Sequence, residues 1–136
     1  MFALVVRFEV RPDHVDAFDA LVSKTLAGIA DTEPGTVVYV NHVRPDHPTE
    51  RIFYECYRDE GAFDAHEDQD HTRRFLSERG QHLVREPEVW RLEATVSAFK
   101  YSRSSTGWRS SYPAPQRSSN PAPLRRGIHH SGSLLH

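Results

Sequence analysis

The sequence predicts an α+β sandwich whose elements follow the order βαββαβ, with helices covering one face of an antiparallel sheet. Two patterns support this prediction. Large apolar residues fill every second position of the first ten residues, as in a half-buried strand. Apolar residues then recur every three or four positions, as in an amphipathic helix. Strand-like and helical stretches continue to Val96, in a chain of 136 residues that has room for one domain.

The first strand is predicted over residues 2–10, with Arg7 on the face opposite the large apolar residues. The Arg11-Pro12-Asp13 segment ends this strand and begins a helix, because proline suits the first helical turn. A turn is predicted at Pro34-Gly35. The apolar stripe of the intervening helix consists of Val15, Phe18, Leu21, Val22, Leu26 and Ile29.

The second half of the domain begins with strands over residues 36–43 and 51–57, which we expect to form an antiparallel hairpin. The polar residues 44–50 between them predict a long loop. Two short helices, over residues 60–66 and 70–83, then precede a last strand over residues 88–96. The complete order is that of a ferredoxin-like sandwich with a split second helix.

Charge divides the chain into two parts, predicted as a folded domain over residues 1–96 and a disordered tail over 97–136. All 19 acidic residues and 11 of the 17 basic ones precede Ala94, a net charge of −8, and the six remaining basic residues bring the total to −2. The tail is rich in Ser, Pro and Arg and has no apolar periodicity. An acidic domain argues against nucleic-acid binding.

The cellular location is predicted from the cysteine content and from the lengths of the apolar runs. Cys56 is the single cysteine, which favours a reducing compartment. No apolar run reaches the roughly 18 residues of a membrane span, and the first residues do not read as a signal peptide. We therefore expect a cytoplasmic protein with no membrane partner.

A homodimer is also predicted. A domain of about 96 residues buries only roughly 60–65% of its unfolded surface, and the first strand carries apolar side chains on both faces. A second copy, packed sheet against sheet, would cover the face that the helices leave open.

Three segments resemble the antibiotic biosynthesis monooxygenase family of dimeric α/β barrels. They are VRFEVRPDHVDAF, EPGTVVYV and FYECYRDEGAFDAH…DHTRRF. In the third segment Glu55, Tyr57, Asp59, His66 and His71 occupy positions typical of the family. The resemblance covers residues 2–95 and implies a dimeric ferredoxin-like barrel.

The resemblance implies one of several activities. The family includes oxygenases that oxidise polycyclic phenols without metal or flavin, quinol oxygenases, an isomerase of a phosphorylated sugar and haem-degrading enzymes. The haem branch uses an Asn, a Trp and a His where this chain has Arg7, His66 and Leu76. Haem degradation is therefore disfavoured.

The leading hypothesis is a cofactor-independent monooxygenase that oxidises an aromatic phenol, anthrone or quinol with O₂. Such a pocket must take a proton, stabilise an anion and exclude water. His66 and Tyr57 are the predicted catalytic residues, since imidazole titrates near neutrality and a phenol can donate to a substrate oxygen. A capping role for His66 and a half-buried role for Tyr57 remain as alternatives.

Six further residues are predicted to bind substrate. Arg7 would stabilise an enolate if its face looks towards the helices, or form a surface ion pair if it does not. Glu55, costly to bury unless paired, would line the pocket or the dimer interface. Asn41 would orient a carbonyl or cap its strand, and His71 would line the pocket or lie at a helix start. Phe63 and Phe75 would form the cavity wall or the core.

No metal site or cofactor is expected, because the histidines show no i, i+4 pair on one helix and have no cysteine partner. Two rival functions stay open. One is an isomerase that enolises a keto-sugar-like metabolite in the same pocket. The other is a dimeric ligand-binding protein without catalysis.

Overall fold

A computed structural model describes residues 1–98 of the chain. The predicted tail therefore lies outside the described residues, apart from its first two positions. The strands and helices are β1 (Phe2–Glu9), α1 (Val15–Thr32), β2 (Thr36–Arg44), β3 (His47–Tyr57), α2 (Glu60–Glu67), α3 (Asp70–Glu78) and β4 (Glu88–Glu93), with 3₁₀ turns at Pro12–His14 and Arg79–His82.

The four strands form one antiparallel sheet in the order β2-β3-β1-β4. This order confirms the predicted ferredoxin-like α+β fold. The second helix is split into α2 and α3, as predicted, with a short break between Glu67 and Asp70. Asp59 is the N-cap of α2, and its carboxylate accepts a hydrogen bond of 2.8 Å from the backbone N–H of Ala62.

The core lies between the sheet and the helices. Phe8, near the end of β1, packs on Phe18 of α1, Phe53 of β3 and Phe75 of α3, at centroid distances of 5.5, 4.7 and 6.0 Å. Tilted and edge-on geometries of this kind are the favourable arrangements of aromatic rings. The alternation of β1 thus places its large residues under the helices, and no helix within the described residues is long and apolar enough to span a bilayer.

The hairpin between β2 and β3 differs from the prediction. Strand pairing reaches Arg44 and His47, so only Pro45 and Asp46 form the turn. Polar composition indicated a loop here, but β3 begins with the exposed residues His47 and Pro48 and so shows no apolar alternation at this end. Arg44 and Asp46 form an ion pair of 2.9 Å across the turn, so a long loop was wrong.

Candidate active site in a cavity between sheet and helices

A cavity of about 180 Å³ lies between the sheet and helices α2 and α3. Its floor is formed by core-face side chains of β1 and β3, among them Leu4, Val6 and Glu55. Phe63 and Phe75, both predicted to bind substrate, form part of its wall. The cavity thus combines apolar and aromatic walls with polar and charged side chains, a mixture found in small-molecule sites.

Glu55 is the buried carboxyl group of this cavity, only 6% exposed. The Tyr57 hydroxyl, two residues along the same strand face, donates a hydrogen bond of 2.9 Å to Glu55 Oε2. Burial nevertheless dominates and raises the pKa of Glu55 above its ordinary value. Burial likewise raises the pKa of the Tyr39 and Tyr57 hydroxyls, so both remain neutral.

Tyr57 therefore does not meet the expectation of direct substrate contact. It is fully buried and lies behind Glu55, where its hydroxyl fixes the orientation of that carboxyl group. The residue that shares the cavity with Glu55 is instead Tyr39, on the neighbouring strand β2 and directly opposite Glu55 in the register.

His66 lines the same cavity from α2 and is 4% exposed. Its ring centroid is 5.5 Å from that of Tyr39 and 5.3 Å from that of Tyr57. Its Nδ1 atom lies 3.0 and 2.9 Å from the two carboxylate oxygens of Glu33. Because a carboxylate can only accept, Nδ1 carries the proton, and Nε2 is the ring atom left for a ligand.

Glu33, directly after α1, is the centre of a buried polar network that sequence reasoning missed. It accepts from His66, from His71 Nε2 at 2.5 Å and from the Thr36 hydroxyl at 2.6 Å. Burial alone would raise its pKa, but these hydrogen bonds outweigh burial and lower the pKa below its ordinary value. Glu33 lies four residues after Ile29 and thus continues the apolar stripe of α1, and this position is the sequence feature that could have predicted its burial.

Two glycines allow the elements of this network to approach one another. A Cβ at Gly28 of α1 would lie 2.5 Å from His71 Nδ1. A Cβ at Gly35, in the turn before β2, would lie 2.6 Å from the Cβ of Ala62 in α2. Local sequence thus permits the close packing that brings α2 and α3 onto Glu33.

Glu33, His66 and His71 could also hold a metal ion, since one ligand atom of each lies within 4.8 Å of the others. Two imidazoles and a carboxylate are ligands that zinc takes. These residues show no i, i+4 spacing, because Glu33 follows α1 while His66 and His71 lie in two different helices, α2 and α3. Their contacts of 2.5–3.0 Å are hydrogen-bond distances, so the network is already satisfied by its own donors and acceptors.

Arginine side chains form the more exposed side of the cavity. Arg79, just after α3, lies over the rings of Phe8 and Phe75, with its guanidinium carbon 5.6 and 5.9 Å from their centroids. Arg91 of β4 lies over Phe63 and Phe2 at 5.4 and 5.9 Å. Neither arginine was predicted as a site residue, although Arg79 falls four residues after Phe75 and therefore on the same helical face.

Arg7 and Asn41 lie away from this cluster. Arg7 projects from the sheet face opposite the helices, where it pairs with Glu50 at 3.0 Å and Glu88 at 2.9 Å. The enolate-stabilising role predicted for Arg7 required its face to look towards the helices, and this requirement is not met. Asn41 lies opposite Phe53 in the register, and its Oδ1 atom is buried without a hydrogen-bond partner among the described residues.

The fold and the cavity together define a small α+β domain with a partly open, aromatic-lined cavity between its sheet and helices. Residues 1–78, more than half of the chain, match the family model described as antibiotic biosynthesis monooxygenase. The chain belongs to that family, which confirms the resemblance seen in its sequence. A search of curated proteins finds no significant relative.

Solved structures show the same fold. Rv0793 from Mycobacterium tuberculosis is 28% identical, with a TM-score of 0.67, over 72% of this chain and 98% of its own. A structure described as an antibiotic biosynthesis monooxygenase is 21% identical, with a TM-score of 0.65, over 71% and 100%. PA3566 from Pseudomonas aeruginosa is 20% identical, with a TM-score of 0.62, over 70% and 94%.

Proposed function

We propose that this protein is a cofactor-independent monooxygenase that oxidises an aromatic phenol, anthrone or quinol with O₂. The observation that carries the proposal is the buried carboxyl group of Glu55, placed with His66 in an aromatic cavity. A carboxyl whose pKa is raised by burial is a stronger base than one in water and suits proton abstraction near neutral pH. Membership of the family supports the same reaction class.

The proposed reaction begins when Glu55 or His66 Nε2 takes the proton of a ring hydroxyl or of an acidic C–H. The resulting anion gives an electron to O₂, the substrate radical and superoxide combine, and the protonated base returns its proton to give a carbon-bound hydroperoxide. Loss of water from this peroxide leaves a new carbonyl group, so one oxygen atom enters the product and the other leaves as water. Once protonated, His66 donates to the developing oxyanion, while Glu33 holds its ring in place.

Oxygen consumption tests this proposal. Purified protein would be incubated with a panel of hydroquinones, phenols and anthrones in an oxygen-electrode cell. We expect Glu55→Gln and His66→Ala to lower the rate by about 10²–10⁴-fold, the usual contribution of a general acid or base. His47→Ala, at an exposed position in the hairpin, is the matched control and should keep the wild-type rate.

Two results would count against the proposal. Equal rates in Glu55→Gln, His66→Ala and wild type would remove both residues from the chemistry. Exchange of a substrate proton for solvent deuterium, without oxygen uptake, would instead identify an enolising isomerase.

A homodimer is part of the proposal. The sheet face opposite the helices carries Val5 beside Tyr54 and Trp90, and the exposed fractions of Tyr54 and Trp90 are 37% and 46%. An apolar face of this kind fits a second copy of the sheet better than it fits water. Light scattering should give twice the chain mass, and Tyr54→Lys should yield monomers. Val43→Lys, exposed at the end of the hairpin, should leave the dimer intact.

A further inference from the structure

The geometry points to a substrate that is a single-ring aromatic anion, with its carboxylate against Arg79 and Arg91 and its ring hydroxyl against Glu55 and His66. This inference rests on the proposed function and narrows it. Phenol, anthrone and quinol would all satisfy the proton-abstracting end of the cavity. The cationic side of the cavity, formed by Arg79 and Arg91, and the size of the cavity decide which of these three substrate classes fits.

Arg79 is the main observation. It is only partly exposed, and no hydrogen bond or ion pair from its guanidinium group reaches another side chain or carbonyl within residues 1–98. Burial lowers the pKa of Arg79, even though Glu86, Glu55 and Glu67 are near enough to oppose this effect. A cation that is partly removed from water without a partner is destabilised, so the site is suited to a ligand that supplies the missing negative charge.

Arg51 shows how this fold treats a buried arginine that needs no ligand. It is 3% exposed, and its guanidinium group donates two hydrogen bonds of 2.8 Å to the carboxylate of Asp19. A two-point contact of this kind is the preferred partner of a guanidinium group. Among residues 1–98, Arg79 instead lies over the faces of Phe8 and Phe75, and no side chain or carbonyl there accepts from its N–H groups, which can therefore bind a ligand.

Arg91 adds a second cation to the same cavity. It is exposed on β4 and has no ion-pair partner in the described part of the chain, and its guanidinium group covers Phe63 and Phe2. The acidic residues that line this cavity are Glu55, at its floor, and Glu67, exposed on α2. Two guanidinium groups at the open side raise the local concentration of anions, in a domain that otherwise carries excess negative charge.

Size limits the aromatic part of the ligand. The cavity encloses about 180 Å³, and an engineered apolar cavity of about 150 Å³ is known to hold one benzene ring. One ring with its substituents therefore fills this space, whereas three fused rings would extend out of it through the open side, past Arg79 and Arg91. A hydroquinone that carries a carboxylate meets all three requirements, namely an acidic hydroxyl, an anionic group and a single ring.

Anaerobic calorimetry tests this inference, with gentisate, its methyl ester and anthrone as probes. We expect gentisate to bind at least about tenfold more tightly than the ester, the usual effect of one charge-assisted hydrogen bond. Arg79→Gln should remove this preference, and Arg91→Gln should reduce it. Arg74→Gln, with the same loss of charge at an exposed position of α3, should retain it.

The outcomes separate this inference from the proposed function. Equal affinity for gentisate and its ester, or tighter binding of anthrone, would overturn the inference whatever the oxygen uptake shows. Charge-selective binding of gentisate without oxygen uptake would uphold the inference and refute the monooxygenase. Because Arg79 packs on the core, circular dichroism of Arg79→Gln checks its fold, and Arg91→Gln supplies an exposed variant that tests the same cationic side.

Discussion

The contact between Gly28 and His71 makes a quantitative prediction. Alanine is normally the better residue inside a helix, by about 1 kcal/mol relative to glycine. At Gly28 the new Cβ would lie 2.5 Å from Nδ1, 2.6 Å from Cγ and 3.0 Å from Cβ of His71, so the imidazole must move. We therefore expect Gly28→Ala to destabilise the protein although it improves helix propensity.

Two costs oppose that gain. Displacement of the ring breaks the hydrogen bond from His71 Nε2 to Glu33, which as a charge-assisted bond contributes about 1.5–3 kcal/mol. Overpacking of the helix contact costs about 1–3 kcal/mol more. The net loss should be about 1.5–5 kcal/mol, and a domain of this size then melts at least about 6 °C lower.

Thermal unfolding followed by circular dichroism measures this loss. Gly80→Ala is the matched control, because a Cβ at Gly80 meets no atom within 4 Å, and it should leave the melting temperature unchanged or slightly higher. If Gly28→Ala melts at or above the wild-type temperature, the ring of His71 does not pack against α1 as described, and the Glu33 network is not held from that side.

Three further predictions concern the two buried carboxyl groups, Glu33 and Glu55, and the histidines that donate to Glu33. Glu33→Gln should lower the free energy of unfolding by about 1.5–3 kcal/mol at neutral pH. The folded-state pKa of Glu33 lies below 4.5, so the stability that its carboxylate contributes is present above pH 4.5 and is lost in acid. In urea titrations below that pH, Glu33→Gln should therefore lose less stability than wild type or Asp31→Asn. The folded-state pKa of Glu55 is raised, so the stability contributed by its protonated form is present below pH 4.5 and is lost as the pH rises. Glu55→Gln should therefore become more stable relative to wild type with increasing pH. A stability difference between the two proteins that does not change with pH would contradict the burial of Glu55. Dialysis against EDTA should leave the melting temperature unchanged, because His66 and His71 already donate to Glu33; a fall reversed by zinc would show a structural metal.

The helices and strands could be predicted because their patterns are local. The alternation of β1 and the stripe of α1 each follow from the repeat of one element, and both agree with the structure. The hairpin was mispredicted for a local reason as well. His47 and Pro48 are exposed, and the buried Glu50 is paired with Arg7 and Arg44, so this end of β3 shows no apolar alternation from which a strand could be predicted.

The site was predicted only in part. His66 and Glu55, which both line the cavity, were predicted as site residues because of their residue types and their positions on an otherwise apolar strand and helix. Glu33, Tyr39 and Arg79 were missed, because each is unremarkable until the chain folds and brings it to the cavity. Arg7 fell on the wrong side of the sheet, since alternation separates two faces but does not say which one the helices cover.

The sequence alone determined the order of the elements, the two faces of each strand and the family to which the chain belongs, because these depend on periodicity and on short motifs. Tertiary structure decided which polar groups meet. Glu33 follows α1, whereas His66 and His71 lie in α2 and α3, and Arg79 and Arg91 reach one cavity from the 3₁₀ turn after α3 and from β4. Contacts between residues so far apart in the chain depend on how the elements pack, and that packing has no repeat that a single sequence displays.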